Sequence, residues 1–284
     1  MKAVELYSHL EKDFNKPNLT DDWANYMDSS VLRFTCENFK TRSIGVACDF
    51  ARDINRVYTA VFPSDTVLEQ VLAGESDSVL FVHHAAVWGY KEPRGLGFTQ
   101  MNPVLLERMH EKNISVYVMH SPLDNFSDYS TSKTLADALG LEIIKPFCEY
   151  EGGLCGIIAK TNCATVGELQ EKFAAAIGHK VSLYPYGSPE IAGNIVAIVA
   201  GGGNDMDTLT QMRKEGISAL ITGITAKNDY SADIHRFEQQ HKINLLGGTH
   251  YSTEKFACIA MLEYFKKLGL PVEFIAELPC LEDL

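Results

Sequence analysis

The sequence predicts an α/β protein built as two α/β lobes around central, largely parallel sheets, with a metal site in the cleft between them. Three observations carry that reading. Short apolar runs alternate with amphipathic segments along most of the chain, as strands joined by crossover helices do. Several helical segments carry explicit stop signals such as Gly74, Gly140, Gly178 and Gly269. Three polar clusters follow apolar strands, the address at which open parallel sheets bind ligands. The lobes divide as residues 1–130 and 131–284, leaving open that the last helix packs back on the first lobe.

The elements follow in order. Residues 2–14 form an amphipathic helix with Val4, Leu6, Leu10 and Phe14 on or near one side. A polar connection with Pro17 leads to Asp22. Residues 43–48 are a short apolar strand. Residues 65–73 are helical, with Val67, Leu68, Val71 and Leu72 at helical spacing. The run 78–82 is a buried strand that leads straight into His83–His84. A helix at 103–110 precedes a strand at 114–119, which opens onto His120-Ser-Pro-Leu-Asp124. A helix at 132–139 closes the first half. The second half repeats the theme: strand 156–159, helix 166–177, strand 195–200, Gly201–Gly202–Gly203, helix 206–214, strand 219–222 and helix 234–240. Strand 243–246 opens onto Gly247–Gly248–Thr249–His250, and the last helix runs from about 253 to 268. Tyr184 to Ala192, with two prolines and a glycine, reads as an exposed loop.

Bulk chemistry narrows the function classes. The 284 residues hold 25 Lys plus Arg against 37 Asp plus Glu, a net charge of −12. Such a chain is not built to neutralise a long nucleic acid. Apolar residues at 46% and charged ones at 22% are globular values, which excludes global disorder. No apolar run approaches the ~20 residues of a membrane span. Glu5, His9, Glu11 and Asp13 interrupt any apolar signal-peptide core. The seven cysteines are odd in number, irregularly spaced and without a CxxC. They read as reduced, mostly buried thiols in a cytoplasmic protein.

The chemistry-bearing clusters are His83–His84, His120-xxx-Asp124 and His250-xxx-Glu254. Four imidazoles and two carboxylates are ligand types for zinc, iron, manganese or nickel. Neighbouring side chains in a regular strand point to opposite faces. His83 and His84 therefore reach one ion only where the strand has already broken, or else serve one ion each. His250 and Glu254 are four apart at a helix start and share one face. Two carboxylates suit a shared site, since each can bridge two cations. The competing reading of any single histidine is a hydrogen-bonded core or rim residue. Gly201–Gly202–Gly203 offers backbone amides to an anion, but a tight strand-to-helix turn is the preferred reading. Asp49 and Asp53 read as surface acids. Trp88, Tyr90 and Phe98 form an aromatic wall facing substrate, a packing contact or a subunit contact.

These residues resemble the dinuclear-metal-centre family known as NGG-one-interacting-factor-three-like, or YbgI/YqfO-like, whose members are also called GTP cyclohydrolase I type 2 homologues. Val79 to His84 is similar to that family's strand ending in a His pair. Val116 to Asp124 resembles its "VYAAHTxLD", and Leu135 to Leu141 resembles "LADxLGL". Ala219 to Gly223 resembles "AYITGE", and Gly248 to Glu254 resembles "GHYxTE", with a closing "VEFI" at Val272 to Ile275. The matches run in the family's order from about residue 43 to 277. The resemblance implies that His83, His84, Asp124, His250 and Glu254 hold two divalent ions, with His120 a sixth ligand or a neighbour of the ligands. It also implies a homohexamer. Two departures stand out. Ala85 and Ala86 follow the His pair where the family has Pro and a bulky apolar residue, and Ile224 replaces the glutamate of "ITGE". Asp229 or His235 would be the substitutes for that glutamate.

The leading expectation is a metal-dependent hydrolase. Two ions per chain (Zn, Fe, Mn or Ni) activate water for attack on carbon or phosphorus, with Asp124 and Glu254 as bridging carboxylates. The substrate would be GTP, as the family label has it, or another small nucleotide or phosphoester. The competing expectation is a regulatory or interaction scaffold, or a metal chaperone, in which the ions are not catalytic. Two dications outweigh two carboxylates, so a small anionic substrate is compatible with the acidic chain.

Overall fold

The computed structural model describes residues 1–88 and 98–284, and its chain divides into two compact units. Unit 1 comprises residues 1–123, 151–153 and 258–278; unit 2 comprises 124–150, 154–257 and 279–284.

Unit 1 is organised by five strands: β1 (Gly45–Cys48), β2 (Arg56–Ala60), β3 (Ser78–Val82), β6 (Ile114–Val118) and β13 (Val272–Phe274). A separate two-strand ladder pairs β4 (Val87–Trp88) with β5 (Phe98–Thr99). The five lie in the order β1-β6-β3-β2-β13. All contacts between neighbours are parallel except β1 with β6. Every residue of β3 and of β6 is buried, which is why both read as continuous apolar runs. One face packs Leu80, Val82, Val116 and Val118 against Val67, Leu68 and Val71 of helix α4 (Asp65–Ala73). That face also covers Leu106 and Met109 of α5 (Pro103–Glu111). On the other face Phe81 stacks on Tyr117 at 6.1 Å and meets Phe265 edge-on at 5.5 Å. The N-terminal helix α1 (Ala3–Phe14) buries Leu6, Leu10 and Phe14, and two short helices, α2 (Ser29–Leu32) and α3 (Glu37–Arg42), follow it. The helix starts obey local rules: Ser64 Oγ accepts the Val67 amide, and Asn102 Oδ1 accepts the Val104 amide with Pro103 at the first turn.

One turn of helix, α6 (Ser121–Asp124), carries the chain from the end of β6 into unit 2. Unit 2 has strands β7 (Glu142–Tyr150), β8 (Gly153–Lys160), β9 (Ser182–Tyr184), β10 (Ile195–Ile198), β11 (Ala219–Thr222) and β12 (Asn244–Gly247). Their order is β7-β8-β10-β11-β12-β9. The centre, β10 to β12, is parallel, whereas β8 and β9 flank it in antiparallel fashion. Alternate residues feed two separate cores. Val196, Ile198, Ile221 and Leu246 pack on α7 (Thr131–Ala138) and α8 (Val166–Ile177). Ala197, Leu220 and Leu245 pack toward Leu209 and Met212 of α9 (Met206–Lys214). Helix α10 (Ala232–His241) precedes β12 and α11 (His250–Lys267) follows it, so α11 begins in unit 2 and its residues from Cys258 onward belong to unit 1.

Six strands escaped the sequence pattern: β2, β4, β5, β7, β9 and β13. β7 is an edge strand with Pro146 inside it and an exposed outer half, so it shows no apolar run. β9 is three residues long and ends where the expected loop begins. The last helix starts three residues earlier than expected, at His250. Of the three loop aromatics, Phe98 packs edge-on against Trp23 at 5.0 Å, which is the packing alternative, and Tyr90 lies outside the described residues.

Leu80 sits fully buried in the middle of the first sheet. Leu80→Ala should cost about 2–5 kcal/mol in urea unfolding, whereas Val104→Ala, on an exposed helix face, should change stability by less than about 0.5 kcal/mol.

Candidate metal centre

In unit 1 the parallel pairing of β3 with β6 sets Val82 opposite Val118. His83–His84 and His120 therefore leave the sheet from neighbouring strand ends. β3 stops at Val82, so the pleat no longer forces the two adjacent imidazoles apart. Their ring centroids lie 4.3 Å apart, and those of His83 and His84 lie 5.0 and 4.8 Å from His120. One ligand nitrogen from each of the three falls within 4.8 Å of the others, and all three side chains are buried.

The hydrogen bonds select the tautomers. His83 Nδ1 donates to the Met119 carbonyl at 3.0 Å. His120 Nδ1 donates to Asp21 Oδ2 at 2.9 Å, and the same carboxylate oxygen accepts the Ser121 amide at 3.2 Å. In both neutral rings the lone pair then lies on Nε2, as in a histidine ligand oriented by an outer partner. His84 stacks on Phe62 at 4.8 Å, and Trp23 stands edge-on to His84 and His120 at 5.7 and 5.2 Å. Burying three imidazoles together without such anchoring would leave polar nitrogens unsatisfied at a cost of about 1–3 kcal/mol each. The donor set thus fits a divalent ion of the zinc, iron, manganese or nickel type.

Unit 2 positions the other three predicted residues. Asp124 ends the α6 turn and is buried, and its Oδ1 accepts the Thr131 hydroxyl at 2.8 Å. His250 and Glu254 occupy successive turns at the start of α11, with Nε2 and Oε1 3.2 Å apart. That start is built with care. Thr249 is a β-branched residue at φ +66°, a left-handed conformation that costs about 1–2 kcal/mol. It is held by the Ser252 amide on its Oγ1 and by the Thr253 amide on its carbonyl. Asp283 Oδ2 accepts the His250 amide at 2.9 Å, while the Asp283 carbonyl accepts the Thr225 and Ala226 amides. Burial pushes the Asp283 carboxyl above its ordinary value, partly offset by that His250 amide.

The glycine-rich turn proves to be a platform. Gly201 lies at φ +70°, and a Cβ there would collide with Glu254 Oε1. Its amide donates to Thr253 Oγ1 at 2.9 Å, and its carbonyl accepts the amides of Gly223 and Ile224. The following helix, α9, is capped by its own Asp205, whose carboxylate accepts the Thr208 amide at 2.8 Å. That is the tight-turn reading of Gly201–Gly203. Ile224 contributes its backbone but no carboxylate. His235 is committed to the Thr225 carbonyl, Tyr186 Oη and Glu238, and Asp229 is exposed.

Sequence reasoning missed Asp21, Trp23, Thr131 and Asp283. Asp21 and His120 are 99 residues apart, and no local pattern joins them.

An α/β chain with buried histidine and carboxylate groups placed after strand ends is the class that fold and site define. The Duf34/NIF3 (NGG1p interacting factor 3) description matches residues 1–279, and the chain belongs to that family. A protein of Borreliella burgdorferi named GTP cyclohydrolase 1 type 2 homolog is 30% identical over 225 residues, spanning 79% of this chain and 84% of that protein. One of the same name from Pyrococcus horikoshii is 27% identical over 265 residues, spanning 90% and 96%. Among solved structures, protein ybgI superposes with a TM-score of 0.72 at 20% identity over 99% of this chain and 100% of that one. Reduced HcgD from Methanocaldococcus jannaschii gives 0.67 at 19% identity over 98% of each chain. At such identities these structures speak for the fold alone. Among the described residues, no helix is long and apolar enough to cross a membrane.

Two outcomes check this geometry. Asp21→Ala should weaken divalent-ion binding about 10–100-fold in competition with a chromophoric chelator, with the circular dichroism spectrum preserved; unchanged affinity would remove His120 from the ligand set. Gly201→Ala should lower stability by about 1–3 kcal/mol, read from the denaturation midpoint.

Proposed function

We propose that the chain is a metal-dependent hydrolase whose dinuclear centre is formed by His83, His84, His120, Asp124, His250 and Glu254. The observation that carries the reading is the buried trio of imidazoles, with ligand nitrogens within 4.8 Å and two tautomers preset. Chain continuity supports extending the set. A single helical turn links His120 to Asp124, and α11 carries Glu254 one turn before Cys258. Within unit 1, the Cys258 carbonyl accepts the Thr59 hydroxyl of β2 at 3.0 Å. Asp124 and Glu254 are the groups able to bridge two cations.

Divalent ions in such a donor set would lower the pKa of a coordinated water towards ~7 and polarise an acceptor oxygen. The chain's own residues do the positioning. Asp21 and the Met119 carbonyl keep two imidazoles in the ligand tautomer. Thr131 orients the Asp124 carboxylate, and Thr249 with Asp283 sets the start of α11. The substrate class is a small anionic nucleotide or phosphoester, with ring-opening cyclohydrolase chemistry suggested by the name of the relatives. A homohexamer, read from the same resemblance, is part of the proposal and is checked by light scattering.

Ile224, standing where the resemblance expects a glutamate, favours a second reading: a metal-loaded regulatory scaffold or metal chaperone without turnover. One experiment separates them. Protein purified without chelator should carry about two divalent ions per chain by elemental analysis. Against a panel of nucleotides and phosphoesters, Asp124→Ala should lower turnover on the order of 100-fold. Less than one ion per chain would sink the dinuclear centre. Full loading with no Asp124-dependent turnover would establish the scaffold reading.

A further inference from the structure

The seven cysteines are free thiols, and two of them are neighbours that the proposed centre does not use. Strands β7 and β8 form a hairpin closed by Glu151 and Gly152, both at positive φ (44° and 82°). That two-residue turn matches the twist of antiparallel strands. Counting back from it brings Phe147 and Cys148 level with Cys155 and Gly156, and a Cβ on Gly156 would run into the Phe147 ring. Opposed residues in such a pair have Cα atoms roughly 4.5–5.5 Å apart, within the ~4.4–6.8 Å range of disulfides. The backbone of Cys148 is left-handed at φ +64°, a break in the pleat at which both Phe147 and Cys148 are buried. Cys155 packs against the buried cluster that holds Cys148, and Cys148 Sγ lies 3.3 Å from Thr208 Oγ1. Cys155 is half-buried, which gives a small reagent a way in. Pairing with Cys155 lowers the Cys148 thiol below its ordinary pKa, and the same pairing together with burial pushes Cys155 up. A partly stabilised thiolate beside a resolving thiol is the arrangement that oxidises reversibly.

We propose that Cys148 and Cys155 form a redox site at which a small peroxide closes a reversible intramolecular disulfide. The Cys148 thiolate attacks one peroxide oxygen, the O–O bond breaks, and hydroxide leaves. The resulting sulfenic acid is attacked by the Cys155 sulfur. The S–S bond forms, the S–O bond breaks, and the oxygen leaves as water with the thiol proton. Two electrons pass from the two sulfurs to one peroxide, and any dithiol reductant reverses the change. Leu154, next to Cys155, accepts the Phe126 amide at 2.9 Å and donates to Asn125 Oδ1 at 3.2 Å, which ties β8 to the segment after α6. The proposal stands independently of the metal reading.

The test is graded hydrogen peroxide treatment of the full chain, then alkylation and mass spectrometry. Cys36 and Cys280, also half-buried, serve as internal comparisons. The expected result is loss of both Cys148 and Cys155 from the alkylatable pool before either comparison thiol, with full return in dithiothreitol. Cleavage after Glu149 and Glu151 should release the two cysteines as peptides joined by a disulfide. Cys155→Ser should abolish that linkage and leave Cys148 oxidised to acids that dithiothreitol does not return in full. Cys148→Ser, as a second variant, should leave Cys155 alkylatable. Oxidation of Cys36 and Cys280 while Cys148 and Cys155 remain alkylatable, or a disulfide joining either one to a different cysteine, would overturn the proposal.

Discussion

The arrangement depends on one constraint: three imidazoles are buried side by side where two neighbouring parallel strands end. A buried nitrogen without a partner is costly, so the surroundings are organised to anchor these rings. β3 and β6 are adjacent and in register through Val82 and Val118, which brings His83, His84 and His120 out of the sheet together. The Met119 carbonyl and the Asp21 carboxylate then take one nitrogen each from His83 and His120. Aromatic rings of Trp23 and Phe62 wall the cluster. The wholly apolar character of β3 and β6 serves this end, since strands buried on both faces hold their register against slippage.

Unit 2 solves a related problem with a helix start instead of a strand pair. His250 and Glu254 need the same face of α11, which the i, i+4 spacing supplies. The start of that helix must also come close to the Gly201 turn. Glycine at 201, 223 and 248 removes the Cβ atoms that would collide with Glu254, Thr253 and Phe173. The strained Thr249 is tolerated because four hydrogen bonds around it and its successors fix the turn. A rigid scaffold that stores local strain beside its ligand-type residues is a common feature of functional sites.

Much of this was legible in the residues. His83–His84, His120 and Asp124, and His250 and Glu254 stand directly after strong apolar runs or at a clear helix start, and the structure buries all six. The partners that orient them were not legible. Asp21 lies in a polar stretch that reads as a connection, and nothing near it in sequence points to a histidine 99 residues away. Asp283 carries no local signal, yet its carboxylate accepts the His250 amide at the start of α11. The edge strands β7 and β9 were hidden for a related reason: an edge strand buries too little to show an apolar run, and Pro146 argues against pairing that only an edge permits. The Cys148–Cys155 contact follows from the same hairpin, and a spacing of seven residues carries no signal until the strands are known to pair.

The sequence by itself determined the α/β class, the central parallel strands and the identity of the ligand-type residues. Those features are local: hydrophobic periodicity, turn residues and the chemistry of side chains next to them. Tertiary structure alone decided the antiparallel flanks of the second sheet, the tautomers of His83 and His120, and the role of the Gly201 turn beneath Glu254. Each of these rests on contacts between residues tens of positions apart, whose energies depend on burial and register, and neither is written in the local pattern of the chain.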